Sequence, residues 1–403
     1  MAEVRRTRNQ NLLFFSLLIL IARPARLQTP VLIESWEGRS VFAESLTVSV
    51  RINPEVAHNA VTVVLDLPGN PSALVGVAVQ LEDGSWTYTV DLRGRSLPAF
   101  AQITLSFVVA LPAGGTLESE SFDFLYADTR FAWHTRERDP FRLHWYEGDE
   151  AFAQAALDSA AAGLERIEAV LEVQNREPVD IYLYSSLTDY QIASGLPGQT
   201  WAGGHTDPAA GTILVSVPPG EESSLDGERK LPHEIAHVML YRLTGSGYAN
   251  LPAWLNEGFA STMETYPNPD YLAAVSAAYE SGRLFETADL CVPFSAEPDQ
   301  VFLAYAQSTA MTRYIEQVYG TAGLLAAIRS YAAGAACEIG TEIEPIRLSL
   351  AALGQNWLVS FETDSPPRPV AQVIDLPALA LLLASLLGPA LVLLGGLSRR
   401  GSS

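Results

Sequence analysis

His233-Glu234-Ile235-Ala236-His237 stands in a stretch whose apolar residues Leu231, Ile235, Val238 and Leu243 recur at helical spacing, with Gly245 closing the segment. Residues i and i+4 lie about one turn apart on the same helix face. Two imidazoles can therefore reach one metal ion while Glu234 projects beside them toward a water. The chemistry requires these residue types in this order. A zinc ion held by three protein ligands keeps a fourth position for water and lowers that water's pKa to roughly 7, and a neighbouring carboxylate takes the proton as the water attacks a carbonyl. His233 and His237 are thus candidate metal ligands and Glu234 is the candidate general base.

The third ligand must come from elsewhere, and Leu251-Pro-Ala-Trp-Leu-Asn-Glu-Gly-Phe-Ala260 supplies it. Pro252 suits a first helical turn, and Glu257 would face back from a second helix packed antiparallel to the first. Nineteen residues separate His237 from Glu257. That is room for the rest of the first helix, the Gly245-Ser-Gly247 turn and one turn of the second.

Outward from this pair the chain divides by its periodicity. Between Asp128 and Glu228 helices and strands alternate: Phe141–Tyr146, Val179–Tyr184 and Thr212–Val217 read as strands, Asp149–Glu172 as an Ala-rich amphipathic helix, and a short helix follows Tyr184. From Glu228 the chain is mostly helical. Before Asp128, from about Leu32 to Tyr126, the pattern is short runs of period two, such as Leu46–Ile52, Val61–Leu67 and Thr104–Val109, which mean half-buried strands. Asp83-Gly84 between Val79-Gln-Leu and Trp86–Val90 signals a hairpin, because a tight turn needs the positive φ that Asp and Gly tolerate. About seven strands in some hundred residues suggest an antiparallel sandwich of immunoglobulin-like type. No cluster there suggests chemistry.

The ends carry targeting signals. Arg5, Arg6 and Arg8 precede the apolar run Leu12–Ala22, which is too short to span a bilayer comfortably and reads as the core of an export signal, with an uncleaved anchor as the alternative. Leu376–Leu397 is a run of 22 uncharged residues, close to the roughly 20 that cross a bilayer. Arg399-Arg400 would hold its far end in the cytoplasm, leaving the body of the protein outside. Asp364-Ser-Pro-Pro-Arg-Pro369 reads as a spacer next to the membrane. The two cysteines, Cys291 and Cys337, fit a disulfide in an exported chain better than a metal or nucleophile site. With 25 Lys and Arg against 46 Asp and Glu, the formal net charge is −21, and no basic patch is segregated from it, which excludes nucleic acid as a partner.

His233-Glu234-Ile-Ala-His237 together with Trp254-Leu-Asn-Glu257-Gly-Phe-Ala resembles the gluzincin metallopeptidases, and among them the peptidase-MA-like proteins related to thermolysin and the zinc aminopeptidases. The resemblance covers roughly Phe131 to Asp364. It implies zinc on His233, His237 and Glu257, with Glu234 as general base and proton shuttle and a peptide or protein as substrate. It implies that Gly211–Val217 is the edge strand along which the substrate pairs, and it offers Tyr305 to the oxyanion of the tetrahedral intermediate. Two departures stand out. Aminopeptidase relatives carry a Gly-x-Met-Glu-Asn segment that holds the substrate amine, where this chain has Gly203-Gly-His205-Thr-Asp; internal cleavage is therefore expected, with Glu264 and Asp207 the first candidates if an amine is held after all. Ser261 stands where thermolysin-like enzymes place an Asp that orients a zinc histidine, so that partner must come from elsewhere. His205 could also approach the metal cleft.

The expected architecture is multidomain. It comprises a signal peptide (1–27), an all-β immunoglobulin-like sandwich (28–128), an α+β zincin-like catalytic domain (129–363), a linker (364–375), one transmembrane helix (376–397) and a cytoplasmic tail (398–403). Two other readings compete: a non-catalytic surface binding protein on the same scaffold, and an exported zinc amidase. A scaffold has no need to keep His233, Glu234, His237 and Glu257 together, whereas an amidase would differ only in the shape of its subsites.

Overall fold

The computed structural model describes residues 32–174, 177–195, 203–295, 297–337, 342–343 and 348–362. The signal peptide expected over 1–27 and the linker, membrane helix and tail expected over 364–403 lie outside the described residues. Among the described residues no helix is long and apolar enough to cross a membrane.

The first part of the chain is all β: β1 (Ile33–Val41), β2 (Ser45–Ile52), β3 (Ala60–Asp66), β4 (Leu74–Val77), β5 (Val79–Gln80), β6 (Trp86–Asp91), β7 (Ala101–Ala110), β8 (Thr116–Glu118) and β9 (Phe122–Tyr126). They form two antiparallel sheets ordered β1-β2-β6-β5 and β4-β3-β7-β8, with β9 also paired to β7. The period-two pattern explains the shared core. In β7 alternate residues Ile103, Leu105, Phe107 and Val109 are fully buried and their neighbours are not. The predicted hairpin is present: Gly84 has φ +82° and the Leu81 N–H donates to the Ser85 carbonyl at 2.8 Å.

The second part contains β10 (His134–Arg138), β11 (Phe141–Trp145), α1 (Glu150–Leu171), β12 (Val179–Tyr184), α2 (Leu187–Ser194), β13 (Gly204–Asp207), β14 (Thr212–Ser216), α3 (Ser223–Thr244), α4 (Ala253–Met263), α5 (Tyr271–Glu280), α6 (Pro298–Ala332) and α7 (Leu350–Glu362). Asp149 caps α1 by accepting from the Phe152 N–H. The sheet runs β10-β11-β12-β14-β13, with β11, β12 and β14 parallel and both outer strands antiparallel to their neighbours. This corrects one expectation. Thr212–Ser216 is not the edge strand, because the short β13 covers it and becomes the edge.

The two faces of this sheet serve different neighbours. Ile181, Leu183, Ile213 and Val215 join the core under α1 and α3, whereas the alternate residues Tyr182, Tyr184 and Leu214 join the core of the β domain. Phe100 of the β domain stacks on Tyr182 with ring centroids 3.5 Å apart. The buried Asp128 carboxylate accepts from Arg130 and from the Tyr184 hydroxyl at the junction. The β domain therefore supports the sheet of the second part from behind.

Helices α3 and α4 pack against each other, and α4 lies on α6. Gly258, next to the expected ligand Glu257, permits that contact: a Cβ there would come within 2.5 Å of the Ser308 carbonyl oxygen and 2.4 Å of Thr312 Oγ1. Helix α6 is interrupted at Gly320, whose φ of +69° is non-helical. Cys291 and Cys337 form the expected disulfide, which ties the segment before α6 to the segment after it.

Candidate active site

His233 and His237 sit on consecutive turns of α3 and Glu257 on α4, and their ligand-type atoms lie within 4.8 Å of one another. Glu257 Oε2 stands 3.4 Å from His233 Nε2 and 3.7 Å from His237 Nε2. These are charge contacts and too long for good hydrogen bonds. Glu257 Oε2 is buried without any hydrogen-bond partner. Donors around a tetrahedral zinc with bonds of about 2.1 Å stand about 3.4 Å apart, so the separations and the orphaned oxygen both fit a metal in the space between.

The other nitrogen of each histidine is also held. His233 Nδ1 lies 3.3 Å from Glu264 Oε1, just past the end of α4. His237 Nδ1 lies 3.1 Å from Asn256 Oδ1, and the Asn256 amide in turn donates to the Tyr248 hydroxyl at 3.1 Å. An acceptor on Nδ1 fixes the proton there and leaves Nε2 as the free lone pair facing Glu257. Helix α4 thus supplies one donor, and it and its end supply both outer partners. The position missing at Ser261 is filled by Glu264, three residues on.

The charges in the site outweigh the cost of their burial. Burial favours neutral His233, but the carboxylates of Glu257 and Glu264 outweigh it and hold the imidazolium up to about 10. Burial likewise opposes ionised Glu257, yet the imidazoles of His237 and His233 bring its carboxyl down to about 2.

Glu234 faces the strand side of the cleft. Its Oε2 accepts from the Thr206 hydroxyl at 2.6 Å, and its Oε1 lies against the backbone of Gly204, where a Cβ would come within 2.0 Å. The Ser216 N–H donates to the Gly203 carbonyl at 2.8 Å. Since antiparallel pairs alternate, Gly203 and His205 turn their backbone groups toward β14, and Gly204 and Thr206 turn theirs to the open edge. The cavity between α3 and β13 has a volume of about 450 Å³.

Tyr305 lines this cavity from α6, its ring centroid 6.1 Å from that of His233, and burial together with the Glu257 carboxylate keeps its hydroxyl protonated well above the usual range. His205 also lines it, and burial lowers its pKa despite the nearby Glu234 and Asp207 carboxylates. Asp207 does not line it; its carboxylate accepts from the Ala209 and Ala210 N–H groups. The structure thus brings together His233, Glu234, His237, Glu257, Tyr305 and His205. It adds Gly204, Thr206, Tyr248 and Asn256, which spacing did not single out.

Two histidines and one glutamate converging beside a second carboxylate, that of Glu234, are the donor set of a catalytic zinc site. The family model of the Peptidase MA superfamily matches residues 159–361, half of the chain, and the protein belongs to that superfamily. No curated protein matches the chain. Solved structures similar to it include an aminopeptidase N family protein from Idiomarina loihiensis, at 11% identity over 84% of this chain and 72% of that one, with a TM-score of 0.34. A mutant of a two-domain M1 zinc metallopeptidase bound to L-arginine is 12% identical over 81% of this chain and 92% of its own, with a TM-score of 0.36. A mutant M1 zinc metallopeptidase from Deinococcus radiodurans bound to a Tyr-Ser-Ala substrate is 13% identical over 80% and 87%, with a TM-score of 0.34. Family membership rests on the first match alone.

Proposed function

We propose that the chain is a zinc metallopeptidase that cleaves peptides internally, with His233, His237 and Glu257 holding the metal. The observation that carries this reading is the convergence of those three side chains beside Glu234 in a cavity bordered by an open strand edge. When bound, zinc would acidify a water and polarise the scissile carbonyl. Glu234 takes the proton of the attacking water at a carboxylate oxygen and delivers it to the leaving amine. Thr206 keeps that carboxylate aimed by donating to Oε2. The Tyr305 hydroxyl, held protonated, donates to the oxygen that gains charge as the carbonyl is attacked. Gly204 and Thr206 offer backbone N–H and C=O groups to an extended substrate.

Internal cleavage is supported by the carboxylates. Among the described residues the acidic groups lining the cavity are Glu234, Glu257 and Glu264, which face Thr206, the two histidines and His233 respectively, and Asp207 is turned away. Each faces a group of the site itself, and an ammonium in the cleft without a carboxylate of its own would be costly. Export by the 1–27 segment and anchoring by 376–397, with the catalytic domain outside the cell, belong to the same proposal and rest on the apolar runs and on Arg399-Arg400.

The test is metal content together with hydrolysis of a peptide library, for the wild type and Glu234→Gln. The isosteric amide leaves the three ligands intact but cannot take a proton. The variant should keep one zinc and lose about 10²–10⁴-fold in rate. Equal rates for the two proteins would sink the mechanism. Acetylated and free peptides should be cut at similar rates, and stepwise loss of single residues from free amino ends would contradict internal cleavage.

A further inference from the structure

The cavity is lined by acidic groups around the histidines, yet two basic residues line it as well. Arg229 and Lys230 both line it, one turn before His233 and Glu234 on α3. Lys230 is the only lysine of the chain, in a protein with a net charge of −21. Its ammonium is already occupied, donating to the Ser216 carbonyl at 2.8 Å and pairing with Asp226 at 3.2 Å. Arg229 is not. Its guanidinium lies over the Tyr266 ring, 5.4 Å from the centroid. Its Nε is buried without a hydrogen-bond partner, and no described side chain forms an ion pair with it. A guanidinium carries five N–H donors in a fork that matches a carboxylate. Leaving it unmatched in the lining of a substrate cleft points to a ligand.

The strand opposite says which part of a substrate arrives there. A Cβ on Gly204 would meet Glu234, and one on Gly203 would meet Lys230 Cε at 3.3 Å, so going backward along β13 leads from the general base toward Lys230, the chain neighbour of Arg229 on α3. A peptide pairing antiparallel to β13 runs in that same backward direction from its amino to its carboxyl end. At about 3.3 Å per residue, its first residues after the scissile bond pass the turn of α3 that carries Arg229 and Lys230.

We infer that Arg229 is a specificity residue that binds a substrate carboxylate on the carboxyl-terminal side of the scissile bond. The inference rests on the peptidase reading for its direction, though the carboxylate site itself does not need catalysis. With internal cleavage the carboxylate is an acidic side chain one or two residues past the cleaved bond; a terminal carboxyl group in its place would instead make the cut near the substrate's carboxyl end. Both present the same two oxygens to the fork.

The test is equilibrium binding of three fluorescent peptides to the full-length zinc-loaded protein: one amidated with an internal Glu, one with neutral side chains and a free carboxyl end, and one amidated and neutral throughout. Glu234→Gln is present in every binding measurement so that bound peptide stays intact, and cleavage is read separately on the protein that retains Glu234. With Arg229 in place the protein should bind at least one of the first two about tenfold or more tightly than the third, and which one it prefers identifies the source of the carboxylate. Arg229→Gln should lose this preference while binding the neutral peptide unchanged, and Arg229→Lys should keep part of it. A protein with Arg229 in place that binds all three alike or none, or an Arg229→Gln variant that keeps the full preference, overturns the inference. Failure of the peptidase reading shows separately, as a preserved binding preference without cleavage of any of the three.

Discussion

The helical side of the cleft and its strand side solve different problems. On the helical side, α3 and α4 place two nitrogens and one oxygen within 4.8 Å, and Glu264 and Asn256 fix the direction of each imidazole. Everything there points at one spot. On the strand side β13 contributes little but backbone and one hydroxyl, with Gly204 pressed against Glu234 Oε1 and Thr206 donating to Oε2. The first side decides whether a metal binds, and the second decides where the base stands once it has. The two can therefore be separated by mutation, since damage to the strand side should cost rate and leave metal affinity intact.

The sharpest way to break this division is Gly204→Ala. The added methyl would sit 2.0 Å from Glu234 Oε1, closer than real contacts allow, so either the edge strand or the catalytic carboxylate must move. A displacement near 1 Å at a reacting group can cost about 10²-fold. We expect kcat/KM to fall by that order with zinc content unchanged. A variant with near wild-type kinetics would mean that the strand does not position the base.

The two sides also differ in how far the sequence reveals them. His233, Glu234 and His237 are legible because an i, i+4 pair is a local fact of helix geometry, and Glu257 follows from a second helix too close to pack elsewhere. The alternation of β2, β3 and β7 and the turn at Asp83-Gly84 are legible for the same reason. The strand side is less legible although its pairing is local. Gly204-His-Thr-Asp207 has no apolar alternation to announce a strand, so nothing in its composition marks it as the hairpin partner of β14, which lies only five to eleven positions away in register. Ile213, Leu214 and Val215 are buried on both faces, the mark of an internal strand, so the run read as the substrate-binding edge is covered by the one beside it. The outer partner of His233 is not legible because it lies beyond the helix, at Glu264, three residues past Ser261.

A middle-sized effect should come from the helical side. Glu264→Gln keeps the shape of the side chain but removes the charge that faces His233 Nδ1 at 3.3 Å. Partners of this kind typically contribute about 10–100-fold to metal affinity. Zinc competition against a chelator should show a loss in that range, while the rate of the fully zinc-loaded variant stays closer to that of wild type than the rate of Gly204→Ala does. Unchanged affinity would remove Glu264 from the metal site and return it to the candidates for holding a substrate amine.

The smallest effect expected is at Thr206, and it separates shape from hydrogen bonding on the strand side. Thr206→Val preserves the branched outline on β13 but removes the hydroxyl that donates to Glu234 Oε2 at 2.6 Å. A hydrogen bond to a charged group contributes about 1.5–3 kcal/mol, but the carboxylate can recruit water in the open cleft and recover part of it. The net loss in kcat should then be about tenfold, with KM and zinc content unchanged because neither the substrate edge nor the donor set is touched. Thr206→Ser, which returns the hydroxyl without the methyl, should recover most of the rate. If Val and Ser behave alike, the contact aims nothing, and the strand side contributes only its backbone.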